Sequence, residues 1–178
     1  MRALILSAGL GKRLKPLTDT TPKPLIEVGG KPVIQHIIDK LHDVGIRNIL
    51  INVHHLPEKM FTIKDVVFSY EPELLGEGET ITHLGTWLVG DEFFVINGDT
   101  LSEVNLRQMC QLVEEKMVPV RQFGTNLQHS SSVYAGYSIY PRNWFSHTDK
   151  APFLFRPETF WIDMGTPEGL DIARKRYG

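Results

Sequence analysis

The chain has 178 residues, 42% hydrophobic and 22% charged, which is enough to enclose one core and too little for two, so a single domain over 1–178 is expected. A formal net charge of -2 gives no sign of the broad basic face that nucleic-acid binding usually requires, so any phosphate recognition must be local. No stretch approaches membrane-spanning length, and the apolar run at the N-terminus is too short for a signal-peptide core; the expected setting is the cytoplasm, away from membranes.

Residues 2–7 (RALILS) form a short apolar run closed at once by the glycines of AGLG, the pattern of a buried strand. After a glycine-rich loop, Pro32 opens a stretch in which Val33, Ile34, Ile37, Ile38, Leu41 and Val44 recur at helical spacing, and Gly45 supplies the stop. NILINV (48–53) is the next apolar run, and strand, crossover helix, strand is the grammar of a right-handed parallel unit. A third strand is expected at 65–70, a weak helix at 81–89, and a fourth strand at FFVIN (93–97), which ends at Gly98-Asp99. An amphipathic helix follows from Glu103 to Glu115. On it Cys110 shares a face with Leu106, Met109 and Val113, as an inert core thiol would.

Beyond Lys116 the pattern is less regular. A period-two stretch covers 133–140, a Pro-rich and aromatic-rich segment covers 141–160, and Pro167 opens a final helix. Ser130, Ser131 and Ser132 read as loop residues, and no nucleophile–base pair stands out. The succession predicts an α/β fold. In open α/β sheets ligands sit at the carboxyl ends of the strands, where both the glycine loop and Gly98-Asp99 fall.

Gly9-Leu10-Gly11-Lys12-Arg13 follows a strand directly, and glycines there bring backbone N–H groups close to phosphate oxygens. Two familiar phosphate loops fail. The dinucleotide fingerprint has Leu14 at its third glycine, and the P-loop has Arg13 where Ser or Thr should bind magnesium. What remains, SAGLGKRLKPLTDTTPKPLIEVGGKPVIQHII, resembles the signature of the sugar nucleotidyltransferases. The resemblance implies a three-layer, Rossmann-like α/β fold with a mostly parallel mixed sheet. It implies that Ala8, Gly9 and Gly11 present backbone to base and phosphates, that Arg13 neutralises the triphosphate, and that Lys23 approaches both phosphoryl groups being joined. Lys12 and Lys15 read as surface residues.

Nucleotidyl transfer needs positive charge against the phosphates, and magnesium is usually held by one or two carboxylates plus phosphate oxygens and water. FFVINGDT resembles the family segment whose aspartate binds the metal, which points to Asp99, with Gly98 allowing close approach of the nucleotide. FWIDMGTPEG resembles the C-terminal signature that delivers the second metal aspartate, here Asp163. Asp91, Glu92, Glu114 and Glu115 read as solvated. His54 and His55 are adjacent at a strand end, point to opposite sides, and match a structural turn of the family.

Three departures stand out. YEPELLGEGETI resembles the base-binding loop, with Gly76 as the glycine that approaches the nucleotide, but Glu77 and Glu79 replace the usual small residues and would repel phosphate unless turned away. The family's Glu-Lys-Pro segment is missing, and RQFGTNLQH stands where it is expected. VYAGYSIY resembles the strand whose glycine touches the sugar, here Gly136, but Tyr134 replaces a small polar residue, either to stack on a ring or to fill core. The implied reaction joins an NMP from an NTP to a sugar 1-phosphate, with Mg2+ and release of pyrophosphate. Transfer to another phosphomonoester, such as an aminoalcohol phosphate, and nucleotide binding without turnover are the alternatives, and the oligomeric state is left open.

Overall fold

The computed structural model describes residues 1–125, 132–146 and 149–178; Ser130 and Ser131 lie outside the described residues. Strand β1 (Arg2–Leu6) leads through three single-turn helices and a small hairpin, β2 (Glu27–Val28) and β3 (Lys31–Pro32), into helix α1 (Val33–Asp43). Helix α1 ends where the sequence says. Gly45 takes a positive φ and donates to the His42 carbonyl at 2.9 Å, while Ile46 donates to Leu41 at 3.0 Å, a paired closure that satisfies the last carbonyls. Then come β4 (Asn48–Val53), the short α2 (Pro57–Met60), β5 (Val67–Tyr70), α3 (Glu77–His83), α4 (Gly85–Leu88) and β6 (Phe93–Asn97). The second half comprises β7 (Thr100–Ser102), α5 (Leu106–Lys116), β8 (Val120–Thr125), β9 (Ser132–Tyr140), β10 (Phe153–Phe155), β11 (Trp161–Asp163) and α6 (Pro167–Tyr177).

The main sheet has seven strands in the order β10-β8-β9-β6-β1-β4-β5. Only β9 runs against the others, so the sheet is mixed and mostly parallel. Alternation along each strand builds three layers. Ala3, Ile5, Ile49, Ile51, Phe94, Ile96, Tyr137 and Ile139 face α1, α5 and α6 in one core, whereas Leu4, Leu50, Phe93, Val95 and Tyr140 face α3 and α4 in the other. β7 and β11 form a separate two-stranded ribbon.

Several expectations are corrected. The helix expected at 81–89 starts at Glu77 and breaks at Leu84 into two pieces, because its first turn, EGET, carries no apolar repeat and is anchored by a buried Thr80 hydroxyl instead. The helix expected from Glu103 starts at Leu106: the Asn105 side chain caps it by accepting from the Gln108 N–H at 3.2 Å, and Glu103 turns away to pair with Arg176. The third strand starts at Val67 rather than at 65, since Asp65 takes a positive φ. Ser132 opens a strand rather than lying in a loop. Asp91 and Glu92 are not simply solvated, because they pair with Arg2 at 3.1 Å and Arg142 at 3.0 Å. Cys110 sits on the rim of the core, only half-buried, with its Sγ 3.7 Å from the Met1 Sδ, and burial pushes its thiol up to about 11.

Candidate active site

In the sheet, β1 has β4 on one side and β6 on the other, so the chain reverses its direction of travel at β1 and a crevice opens past the carboxyl ends of β1 and β6. The Gly98 N–H donates to the Leu6 carbonyl at 2.9 Å, holding the two strand ends together. A side chain at Gly98 would lie 2.3 Å from the Ser7 Oγ, so this closure requires glycine. On the β1 side, Ala8 is buried, Gly9 is exposed, and Gly11 has φ 62 with its carbonyl accepting from the Thr18 hydroxyl at 2.9 Å. Thr18 thereby folds the Pro-punctuated loop back under the glycines. Lys12 is exposed and Lys15 pairs with Asp19 at 2.8 Å, both on the surface.

The loop delivers two cations to two acids. Lys23, between Pro22 and Pro24 and only 14% exposed, is ion-paired with Asp99; Arg13, 64% exposed, reaches within 3.9 Å of the Asp163 carboxylate. The acids are brought together by the ribbon, in which Thr100 pairs with Asp163 across β7 and β11 and the Met164 N–H donates to the Asp99 carbonyl at 3.0 Å. The Gly165 N–H donates to Asp163 Oδ1 at 2.7 Å and orients the carboxylate. Burial, and next the negative charge of Asp99, raise the Asp163 carboxyl above the ordinary carboxylate range, against the pull of the Gly165 N–H, Lys23 and Arg13. Gly136 on β9 reaches the same place, with its Cα face against the Thr100 side chain.

Gly76, at the start of α3, is tied to this crevice by a buried polar chain that sequence reasoning missed. The Ser7 N–H donates to Asn52 Oδ1 at 2.7 Å, and Asn52 Nδ2 donates to Glu71 Oε1 at 2.8 Å. Glu71, 3% exposed, also accepts from the Thr80 hydroxyl at 2.7 Å and the Leu75 N–H at 3.4 Å. The available signal was position alone: Glu71 is the first residue past β5, at the same sheet edge as Gly9 and Asp99. Glu79 is exposed, but Glu77 is half-buried and lines a cavity beside α3. Tyr134 does not face open space: its hydroxyl meets the Ser138 Oγ at 2.8 Å and its ring lies against Arg121. The rings of His54 and His55 bond in different directions, to the carbonyls of Glu71 and Thr18 at 2.8 Å each, and hold the turn after β4.

Two carboxylates, Asp99 directly before β7 and Asp163 at the end of the paired β11, lie close enough to perturb one another and form a hard oxygen donor pair that fits a divalent cation of the magnesium type. With two protein carboxylates as ligands, such an ion would take its remaining ligands from phosphate oxygens and water. Among the described residues, no helix is long and apolar enough to cross a membrane.

The model of the Nucleotidyl transferase family matches residues 2–132, and the chain belongs to that family. It is 37% identical over 123 residues to mannose-1-phosphate guanylyltransferase 1 of Arabidopsis thaliana, covering 62% of this chain and 34% of that protein. It is 40% identical over 120 residues to the N-acetylmuramate alpha-1-phosphate uridylyltransferase of Neisseria meningitidis serogroup B, covering 62% of this chain and 52% of the relative. Among solved structures, the UDP-glucose pyrophosphorylase of Acinetobacter baumanii superposes with a TM-score of 0.83 at 15% identity, covering 99% of this chain and 93% of that one, a likeness of fold. The chain spans about half or less of the length of these curated relatives.

Proposed function

We propose that the chain is a magnesium-dependent nucleotidyltransferase that joins the NMP of an NTP to a sugar 1-phosphate. A phosphate oxygen of the acceptor attacks the α-phosphorus in line, the new P–O bond forms as the bond to the β-phosphate oxygen breaks, and pyrophosphate leaves with the electron pair. The observation that carries this reading is the convergence of Lys23 with Asp99 and of Arg13 with Asp163 at the carboxyl ends of β1 and β6, in a chain of this family.

The acceptor is already largely ionised at neutral pH, so no protein nucleophile is required and catalysis rests on positioning and charge. In this reading the backbone of Ala8, Gly9 and Gly11 cradles base and phosphates, and Gly76 approaches the base. Gly98 keeps the ends of β1 and β6 together beside the α-phosphate, and Gly136 borders the sugar. Arg13, exposed and able to swing, suits bidentate contact with the leaving phosphates; Lys23, buried between prolines, acts as a fixed point charge. Asp99 and Asp163 would hold magnesium, which when bound neutralises phosphate charge and aligns the triphosphate. Lys23, ion-paired with Asp99, would supply positive charge beside the phosphates. The names of the relatives support a sugar 1-phosphate as acceptor.

The test is pyrophosphate release with and without magnesium, using a panel of NTPs against sugar 1-phosphates and aminoalcohol phosphates. Release that requires both magnesium and a sugar 1-phosphate is expected. Absence of acceptor-dependent release from every pair would sink the reading in favour of a nucleotide binder.

A further inference from the structure

On the face of the sheet covered by α3 and α4, a cavity of about 510 Å³ opens between the first turn of α3 and strands β8 and β9. Its walls include Glu77 on α3, Arg121 on β8, Tyr140 at the end of β9 and Trp144 just beyond. The volume lies within the range of roughly 300–1,000 Å³ that holds small ligands.

Arg121 is held in an uncommon way. Its guanidinium lies 5.7 Å from the centre of the Tyr134 ring and 6.0 Å from that of Tyr140, and Nη2 donates to the Tyr140 hydroxyl at 2.9 Å. Its Nε is buried without a hydrogen-bond partner among the described residues. Glu77, the carboxylate it feels, faces it as part of the same cavity's lining without an ion pair between them. Residues 126–131 and 147–148 contain no Asp or Glu that could pair with it.

A rigid donor fork on one wall, a carboxylate acceptor on another and an aromatic floor call for a neutral ligand that both donates and accepts along one edge and is apolar on one face. Neighbouring hydroxyls on a pyranose ring meet that description. An ammonium-bearing acceptor would sit beside the Arg121 charge, and a further anionic group would face Glu77. The cavity adjoins the proposed site through the chain at two points: Glu77 directly follows Gly76, and Tyr134, whose ring lies against Arg121, is two residues before Gly136 on β9.

We propose that Arg121 and Glu77 are specificity-determining residues for the acceptor, gripping hydroxyls of its sugar ring where the first turn of α3 faces β8. This rests on the nucleotidyl-transfer reading and assigns its acceptor recognition to residues on β8 and α3.

The test measures steady-state constants for wild type, Glu77→Gln and Arg121→Gln with glucose, mannose and N-acetylglucosamine 1-phosphates and their monodeoxy analogues. Each substitution is expected to raise the acceptor KM at least about tenfold and leave the NTP KM within about twofold, the size of a lost charge-assisted hydrogen bond. A deoxy acceptor missing the gripped hydroxyl should cost wild type a similar factor and cost the matching variant little more. Thermal melting qualifies Arg121→Gln as folded; Glu77→Gln, on a half-exposed position, carries the test if it is not. Unchanged acceptor KM in Glu77→Gln, or a rise confined to the NTP, overturns the assignment. If wild type turns over no acceptor, the reaction itself fails, and calorimetric binding of the same hexose 1-phosphates then decides the subsite. Binding weakened by Glu77→Gln upholds it, and no binding overturns it.

Discussion

At the scale of single residues, the site depends on charges that cannot be exchanged for shape. Asp99→Asn keeps the size of the side chain but removes the charge that pairs with Lys23 and would hold the metal. We expect kcat to fall by roughly 100-fold or more with the thermal midpoint little changed, checked by pyrophosphate release beside a melting curve. Gly98→Ala acts through space instead, since its Cβ would meet the Ser7 Oγ and lie 2.9 Å from the Leu6 carbonyl oxygen. It should cost about 1–3 kcal/mol in denaturant titration by prising apart the ends of β1 and β6. Cys110 gives a pH signature. Its thiol is raised to about 11 from a reference of 9.0, chiefly by burial, so the unfolded chain ionises first as pH climbs. The contribution to stability is therefore intact below about 9 and is lost as pH passes through about 11. Alkylation by iodoacetamide at pH 8 should correspondingly be slower in the native protein than in the unfolded chain.

At the scale of elements, the junction of β5, β4 and α3 is governed by one buried carboxylate. Glu71→Ala strands the Asn52 amide and the Thr80 hydroxyl, at about 1–3 kcal/mol for each donor left unpaired, and should raise the NTP KM more than the acceptor KM, because the Gly76 loop loses its anchor. The same junction shows what a sequence can and cannot disclose. Apolar repeats gave away β1, α1, β4 and β6, because those elements face dry surfaces on one or both sides and hydrophobicity marks them directly. The turn of α3 at EGET is held by a side-chain hydrogen bond to Glu71, and Leu106 starts α5 through the Asn105 cap; such bonds leave no periodic trace. The cations and acids of the site were legible as a compound motif. Their pairing, Lys23 with Asp99 and Arg13 with Asp163, was not, since it is set by the ribbon of β7 and β11, two three-residue strands too short to announce themselves.

At the scale of the whole molecule, nucleotide binding should tighten the assembly of loop and sheet. An NTP present at 100 times its Kd is expected to stabilise the fold by about 2.7 kcal/mol, visible as a rise in melting temperature. That rise should be lost in Lys23→Ala, with the ligand-free melting temperature as the control for folding. The antiparallel ribbon carries a further consequence. It joins a strand from the middle of the chain to one just ahead of the last helix, and Asp163 has no place beside Asp99 until that long loop closes. Loop closure of this span is slow relative to local pairing. During synthesis the glycine loop, α1 and strands β1, β4, β5 and β6 can therefore assemble before the second acid has left the ribosome, and the two acids should come together only when β11 docks on β7.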